Sequence, residues 1–334
     1  MNSRRNYLWD NMKALLIFLV VLGHFLEKFP MDFKTGKLLD EFIYMFHMPA
    51  FIFVSGFWAK GYCKNGKPRP EKIAYFVSYY VIFQLIFTFI IQIFTPTKAI
   101  SLLEPAIGLW YLLAMIIYYL IIPVIENLPA PLIIGAFMVV GLFIGYEKEA
   151  GSFAGVSRTL VFSPFFFAGY YTPVTLIDKM RSIKNRILIG VLTFFAALTI
   201  WTVSNDEYGM TLFFGKANFK ALKFDFMEGI TLRYLSWILG ALMIISLILL
   251  LPSKKTIFSF VGERSIQAYL FHFPLIIVFT KVDLSYLFII DTTWEFILTI
   301  IAAVAFTLLL SIKPLSYPFK WIQMLTDKII KTHN

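Results

Sequence analysis

Four ionisable residues share one face of the first apolar stretch in this 334-residue chain: Asp10, Lys13, His24 and Glu27. Lys13 and His24 are eleven residues apart, which on a helix leaves them within about 20° of azimuth and about 16 Å apart along the axis. Asp10 lies one turn before Lys13 and Glu27 one turn after His24, close enough to pair with them. Ionisable groups inside an apolar helix are costly and by default mark a pathway or a site. The plainer reading is that Lys13 reaches back to the lipid interface and His24 bonds a carbonyl of a neighbouring helix. Gly23 leaves room beside His24 for another helix or a ligand.

Two more histidines stand in apolar surroundings. His47 precedes Pro49, and His272 precedes Pro274, each by two residues. Proline inside a helix frees a carbonyl that needs another partner. The fourth histidine, His333, is in the C-terminal tail. Imidazole is a common zinc ligand, but the spacings give no HxxxH or HExxH pair, so no two of the three share a helix and no metal is expected. There is no phosphate-cradling glycine loop and no nucleophile-elbow serine. Ser55-Gly56 reads first as a tight helix contact. What remains is acid–base chemistry: a hydroxyl is a poor nucleophile at neutral pH, and a base aimed at it accelerates attack by roughly 10²–10⁴. Glu27 would orient the His24 ring. A covalent acyl-carrying role for His24 is equally compatible with the residues.

The elements that must hold these side chains are set by composition. Hydrophobic residues make up 59% of the chain and charged ones only 15%, and mean hydropathy is +0.76, far from a soluble domain's balance. The expected fold is all-α, a polytopic integral membrane protein of about ten spanning helices. They are expected near 13–29, 42–60, 73–95, 107–125, 130–146, 159–177, 187–204, 232–251, 265–281 and 294–312. The segment 285–290 is too short to span, and reads as re-entrant or interfacial. The first span follows Arg4 and Arg5 like a signal peptide, but no small-residue cleavage pattern follows, so it is read as retained. The formal charge of +10 is spread over short loops, where it sets orientation rather than binding nucleic acid. Most of the 30 basic residues fall on the cytoplasmic side if both termini are inside, notably in 60–72 and 178–186, with acids outside in 27–41, 206–228 and 283–295. Cys63 is the sole cysteine. Residues 1–313 then form the membrane domain. Residues 314–334 form a cytoplasmic amphipathic tail, in which Phe319, Trp321, Ile322 and Leu325 alternate with Lys320, Lys328 and Lys331.

At these residues the sequence resembles membrane acyltransferase family 3, most closely its fucose 4-O-acetylase-like branch. The matching stretches are Tyr7 through Ile17 with Val20-Val21-Leu22-Gly23-His24, then Phe46-His47-Met48-Pro49-Ala50-Phe51 with Val54-Ser55-Gly56-Phe57. Leu109 through Leu113, Ser157-Arg158, Phe162 through Tyr170, and Ser265 through His272 continue it in order. The resemblance implies transfer of an acetyl group from cytoplasmic acetyl-CoA to a hydroxyl of an envelope glycan or its lipid-linked precursor, in the bacterial plasma membrane. It implies the stand-alone form, without the esterase-like domain that many relatives carry. The family's basic residue eleven positions before the histidine is commonly Arg; Lys13 here keeps the charge but not the planar fork. The family's basic cluster after the second helix corresponds to Arg69 and Lys72. With Lys13 they would meet the CoA phosphates, and Asp10, one turn from Lys13, completes the expected cofactor-binding set. His24, Glu27, His47 and His272 are then the catalytic candidates, and Trp110 and Arg158 would meet the acceptor. The rival is a membrane transporter using the same buried stripe, although the interrupted second and ninth spans form no evident repeat.

Overall fold

A backbone in lipid must satisfy its N–H and C=O groups within the segment, which leaves helices as the only solution for apolar runs of this length. The computed structural model describes residues 6–28, 33–64, 67–95, 101–147, 151, 153–204, 212–216, 218–282 and 289–332. His333 and most of the 285–290 segment lie outside them. The described chain is helical almost throughout. Its helices are α1 (Leu8–Lys28), α2 (Lys34–Ala59), α3 (Pro70–Phe94), α4 (Trp110–Ile125), α5 (Ala130–Phe143), α6 (Val156–Tyr171), α7 (Val174–Ser182), α8 (Arg186–Ser204), α9 (Phe226–Leu250), α10 (Ser259–Glu263), α11 (Ser265–Val282), α12 (Thr293–Leu310) and α13 (Tyr317–Thr332). A two-stranded antiparallel hairpin, β1 (Cys63–Lys64) and β2 (Lys67–Pro68), links α2 to α3.

Each expected span coincides with a helix. Among the described residues, α1, α2, α3, α9, α11, α12 and Arg186–Val203 of α8 are long and apolar enough to cross a membrane. The α6–α7 pair would add an eighth, while Trp110–Ile125 and Ala130–Tyr146 are shorter apolar helices. The sixth span needs correction. It was expected to run to residue 177, but α6 ends at Tyr171 and the chain turns by 83° into α7. Pro173 lacks the N–H that would continue the helix and biases Thr172 away from helical backbone. Pro49 and Pro274, by contrast, lie inside unbroken helices. The second span also starts earlier than hydropathy suggests, since α2 runs from Lys34.

Small residues set the closest approaches. A Cβ on Gly56 would stand 1.9 Å from the Phe166 carbonyl oxygen, and one on Gly169 would stand 2.0 Å from that of Phe53, so α2 and α6 pack backbone to backbone. Gly262 in α10 meets the Asp10 carbonyl in the same way, at 1.7 Å. Asn11 completes that junction. Its Nδ2 donates to the carbonyls of Pro252 (2.8 Å) and Lys254 (3.0 Å). Its Oδ1 accepts from the hydroxyls of Thr256 (2.8 Å) and Ser259 (2.7 Å). The start of α1, which carries Asp10 and Lys13, is thereby tied to the α9–α10 turn. Arg181 and Arg186 donate to the last carbonyls of α9, at Ile248 and Leu249, where cations oppose the helix dipole.

At the opposite helix ends, α9 and α12 begin with capping boxes, Asp225 with Glu228 and Thr292 with Glu295. Some of the acidic residues collected in these loops therefore serve helix termini. The C-terminal segment forms α13, which lies against α3. Tyr75 donates to Asp327 (2.5 Å), Gln323 donates to Tyr79 (2.8 Å), and the Phe319 ring stacks on Phe83.

Candidate active site

Helix α1 delivers His24 and Glu27 from successive turns of one face, and α2 brings Tyr44 against both. The Tyr44 hydroxyl donates to Glu27 Oε2 at 2.9 Å and lies 3.2 Å from His24 Nδ1. His24 Nδ1 is 3.4 Å from the same carboxylate oxygen. Glu27 also accepts from Lys28. In the tautomer with the ring proton on Nδ1, facing the carboxylate, the Nε2 lone pair is available. Gly23 makes the arrangement possible: a Cβ there would stand 3.3 Å from the Tyr44 ring. The room expected beside His24 is thus filled by Tyr44.

The other two imidazoles differ in role. His47 is buried, with Nδ1 bonded to the Ile43 carbonyl at 2.8 Å and its ring edge-on to Tyr44, centroids 4.9 Å apart. His272 is fully buried and stacks on His24, with centroids 5.3 Å apart and planes 17° from parallel. Its Nδ1 donates to the Ala268 carbonyl at 3.1 Å, while its Nε2 is buried and has no hydrogen-bond partner among the described residues.

His24, Glu27, Tyr44 and His47 line a cavity of about 890 Å³, together with Trp110 and Arg158. His272 does not line it and backs His24 from behind. Left-handed backbone at Ala154 and Gly155 (φ +50° and +63°) precedes α6. A Cβ on Gly155 would meet the Trp110 Cβ at 2.7 Å, so glycine lets α6 start against the indole. Arg158 and Phe162, one turn apart on α6, then both cover Trp110: the guanidinium carbon is 4.7 Å from the ring centroid and the Phe162 ring stacks at 5.6 Å. A narrower cavity of about 50 Å³, lined by Phe51, Tyr111, Ser265 and Ile266, shares Val20, Met48 and Tyr269 with the large one.

The expected phosphate-binding group is not assembled around this cavity. Lys13 pairs with Asp10 at 3.2 Å and sits over the Trp58 ring. Arg69 and Lys72 are exposed at the start of α3, beside the hairpin. None of the four lines either cavity. Among the described residues no three His, Cys, Asp or Glu side chains group as metal ligands. Sequence reasoning missed Tyr44, although it lies one turn before His47 and thus on the same face. It also missed Tyr269, whose hydroxyl donates to the Gly108 carbonyl, and it assigned Asn11 no role.

The acyltransferase domain family matches residues 6–312, nearly the whole chain. The chain belongs to this acyltransferase family. The resemblance read from its motifs holds at the family level, and the apolar helices long enough to cross a membrane fit a multi-pass membrane protein. A stretch of 62 residues is 40% identical to the nodulation protein NolL of Sinorhizobium fredii (strain NBRC 101917 / NGR234), covering 18% of this chain and 17% of that protein's length. No solved structure matches the chain.

Proposed function

We propose that this acyltransferase moves an acetyl group from cytoplasmic acetyl-CoA to a hydroxyl of a cell-envelope glycan or its lipid-linked precursor, in the bacterial plasma membrane. The observation that carries the proposal is His24, held through Nδ1 by Glu27 and Tyr44 on the wall of a cavity large enough for a sugar. In this reading Nε2 takes the proton from the acceptor hydroxyl as its oxygen attacks the thioester carbonyl. The tetrahedral intermediate collapses, the C–S bond breaks, and the imidazolium returns the proton to the departing thiolate. Glu27 stabilises that imidazolium, and Tyr44 positions Glu27. His272 keeps the ring plane of His24 fixed, and His47 supports Tyr44.

The donor's route follows from the topology we propose, ten crossings with both termini inside. Lys13 then lies near the inner surface, about 16 Å along α1 from His24, with Arg69 and Lys72 in an inner loop. The adenosine phosphates would be met there. The narrow cavity, continuous in its lining with the large one, supports a path by which the slim pantetheine arm reaches His24. The acceptor enters the large cavity from the other side.

The test is glycan mass spectrometry of a deletion strain complemented with wild type or His24→Ala. Wild type restores acetyl groups that the deletion lacks, and His24→Ala leaves them below about 1% of wild type, as loss of an essential base requires. Equal acetyl content in the deletion and wild-type strains would overturn the function. Full restoration by His24→Ala would remove His24 from the chemistry.

A further inference from the structure

The charge around the large cavity says something about the acceptor. Among the described residues lining it, Lys28, Arg158, Lys216 and Lys281 are cationic and Glu27 is the sole carboxylate. Glu27 is already engaged by His24, Tyr44 and Lys28. Lys281 donates to the Thr95 hydroxyl at 3.1 Å. Arg158 stands apart from these. Its guanidinium lies over Trp110, and its Nε is buried with no hydrogen-bond partner among the described residues. A half-buried cation with no acidic partner among the described residues is costly and is ordinarily paired. Stacking covers the face of the guanidinium and Nε is buried, so the terminal Nη groups, which have no hydrogen-bond partner among the described residues, are the donors left for a carboxylate or phosphate oxygen in the cavity.

Resting on the acyltransferase reading of this site, we infer that the acceptor is anionic: it carries a carboxylate or phosphate group that Arg158 binds, with Lys216 nearby, while the reacting hydroxyl faces His24. The donor does not supply this anion, because its pantetheine arm is uncharged and its phosphates remain near Lys13. The negative group has two sources, an acidic sugar residue or the phosphate that links a sugar to its lipid carrier. Both present the same oxygens to Arg158. A purely neutral oligosaccharide would leave the guanidinium unpaired and would bind weakly.

Binding to the full chain in lipid nanodiscs tests this, with methyl glucuronide, inorganic pyrophosphate and methyl glucoside as probes and intrinsic tryptophan fluorescence as the readout. At least one anionic probe is expected to bind about tenfold or more tighter than the glucoside, which would correspond to one or more charge-assisted hydrogen bonds. That advantage should shrink with added salt, be lost in Arg158→Gln, and return in part in Arg158→Lys, which keeps the charge without the fork. Preference for glucuronide points to an acidic sugar, and preference for pyrophosphate to the lipid linkage. The inference is overturned if neither anion outcompetes the glucoside, or if a monodisperse Arg158→Gln protein retains wild-type anion affinity. Should Arg158→Gln fail to fold, the salt dependence of wild-type binding decides: an anion advantage that does not weaken with salt overturns the inference. Acetyl-CoA binding, measured on the same preparations, reports separately on the acyltransferase reading. Anion selectivity without acetyl-CoA binding would sink that reading alone, and acetyl-CoA binding without anion selectivity would sink this one.

Discussion

Tyr44 links α1 and α2 at the proposed catalytic site, and it does so through one hydroxyl. Its bond to Glu27 at 2.9 Å is charge-assisted, the class worth about 1.5–3 kcal/mol. Tyr44→Phe keeps the ring and removes that bond. The expected result is a fall in kcat of about tenfold or more, with KM for acetyl-CoA nearly unchanged, because the hydroxyl acts on His24 through Glu27. A loss confined to KM would contradict the positioning role. Gly23→Ala should act on the same contact from the other side. The added methyl, 3.3 Å from the Tyr44 ring, displaces the phenol and lowers kcat in the same direction as Tyr44→Phe. Wild-type kcat for Gly23→Ala would show that the Tyr44 ring yields without moving its hydroxyl. Both residues were within reach of the sequence. Gly23 stood out by adjacency to His24, whereas Tyr44 offered only its helical spacing from His47 as a signal, and which residue would fill the space beside Gly23 depends on the register of α1 against α2. No property of either helix alone specifies that register.

At the scale of elements, the Asn11 carboxamide anchors the N-terminal end of α1 to the α9–α10 turn. Asn11 uses both donors and both acceptor positions, in a site where it is 6% exposed. Asn11→Ala would strand the Thr256 and Ser259 hydroxyls and two carbonyls, at a cost of about 1–3 kcal/mol or more. A clear drop in the thermal midpoint of the detergent-solubilised protein is the expected outcome, and a shift within error would mean that water replaces the side chain without cost. The same junction explains why Gly262 faces the Asp10 carbonyl: α10 lies so close that no Cβ fits. Residue type alone pointed to a polar asparagine beginning an apolar helix, but its partners are more than 240 positions away. The prolines gave mixed signals for a similar reason. Pro173 ends α6, whereas Pro49 and Pro274 sit inside helices that continue past them. Neighbouring helices decide whether the freed carbonyl is tolerated.

At the scale of the whole molecule, the proposed topology makes a prediction of its own. In a Cys63→Ser background, Ser182→Cys lies in the loop placed inside and Lys220→Cys in the segment placed outside; both positions are exposed. A membrane-impermeant maleimide should label the Lys220→Cys protein in intact cells and the Ser182→Cys protein only after lysis. The reverse pattern would invert the orientation and move Lys13 away from cytoplasmic acetyl-CoA. The four basic residues of 178–186 support the inner placement. Arg181 and Arg186 also cap α9, so their charge serves both topology and packing.

By itself, the sequence determined that the chain is a bundle of apolar helices, where those helices fall, and that α1 carries Asp10, Lys13, His24 and Glu27 on one face. These are local properties, since hydropathy and the 3.6-residue period act within a single segment. The motifs in their order also determined the family. Only the tertiary structure decided that His47, Trp110 and Arg158 share a cavity with His24, that His272 stands behind it, and that Arg69 and Lys72 lie apart from it. It alone set Arg158 against Trp110, with its Nε buried and without a partner among the described residues. Such relations depend on how helices distant in the chain cross one another, and those crossings are set by close glycine contacts and buried hydrogen bonds between segments that no single stretch encodes.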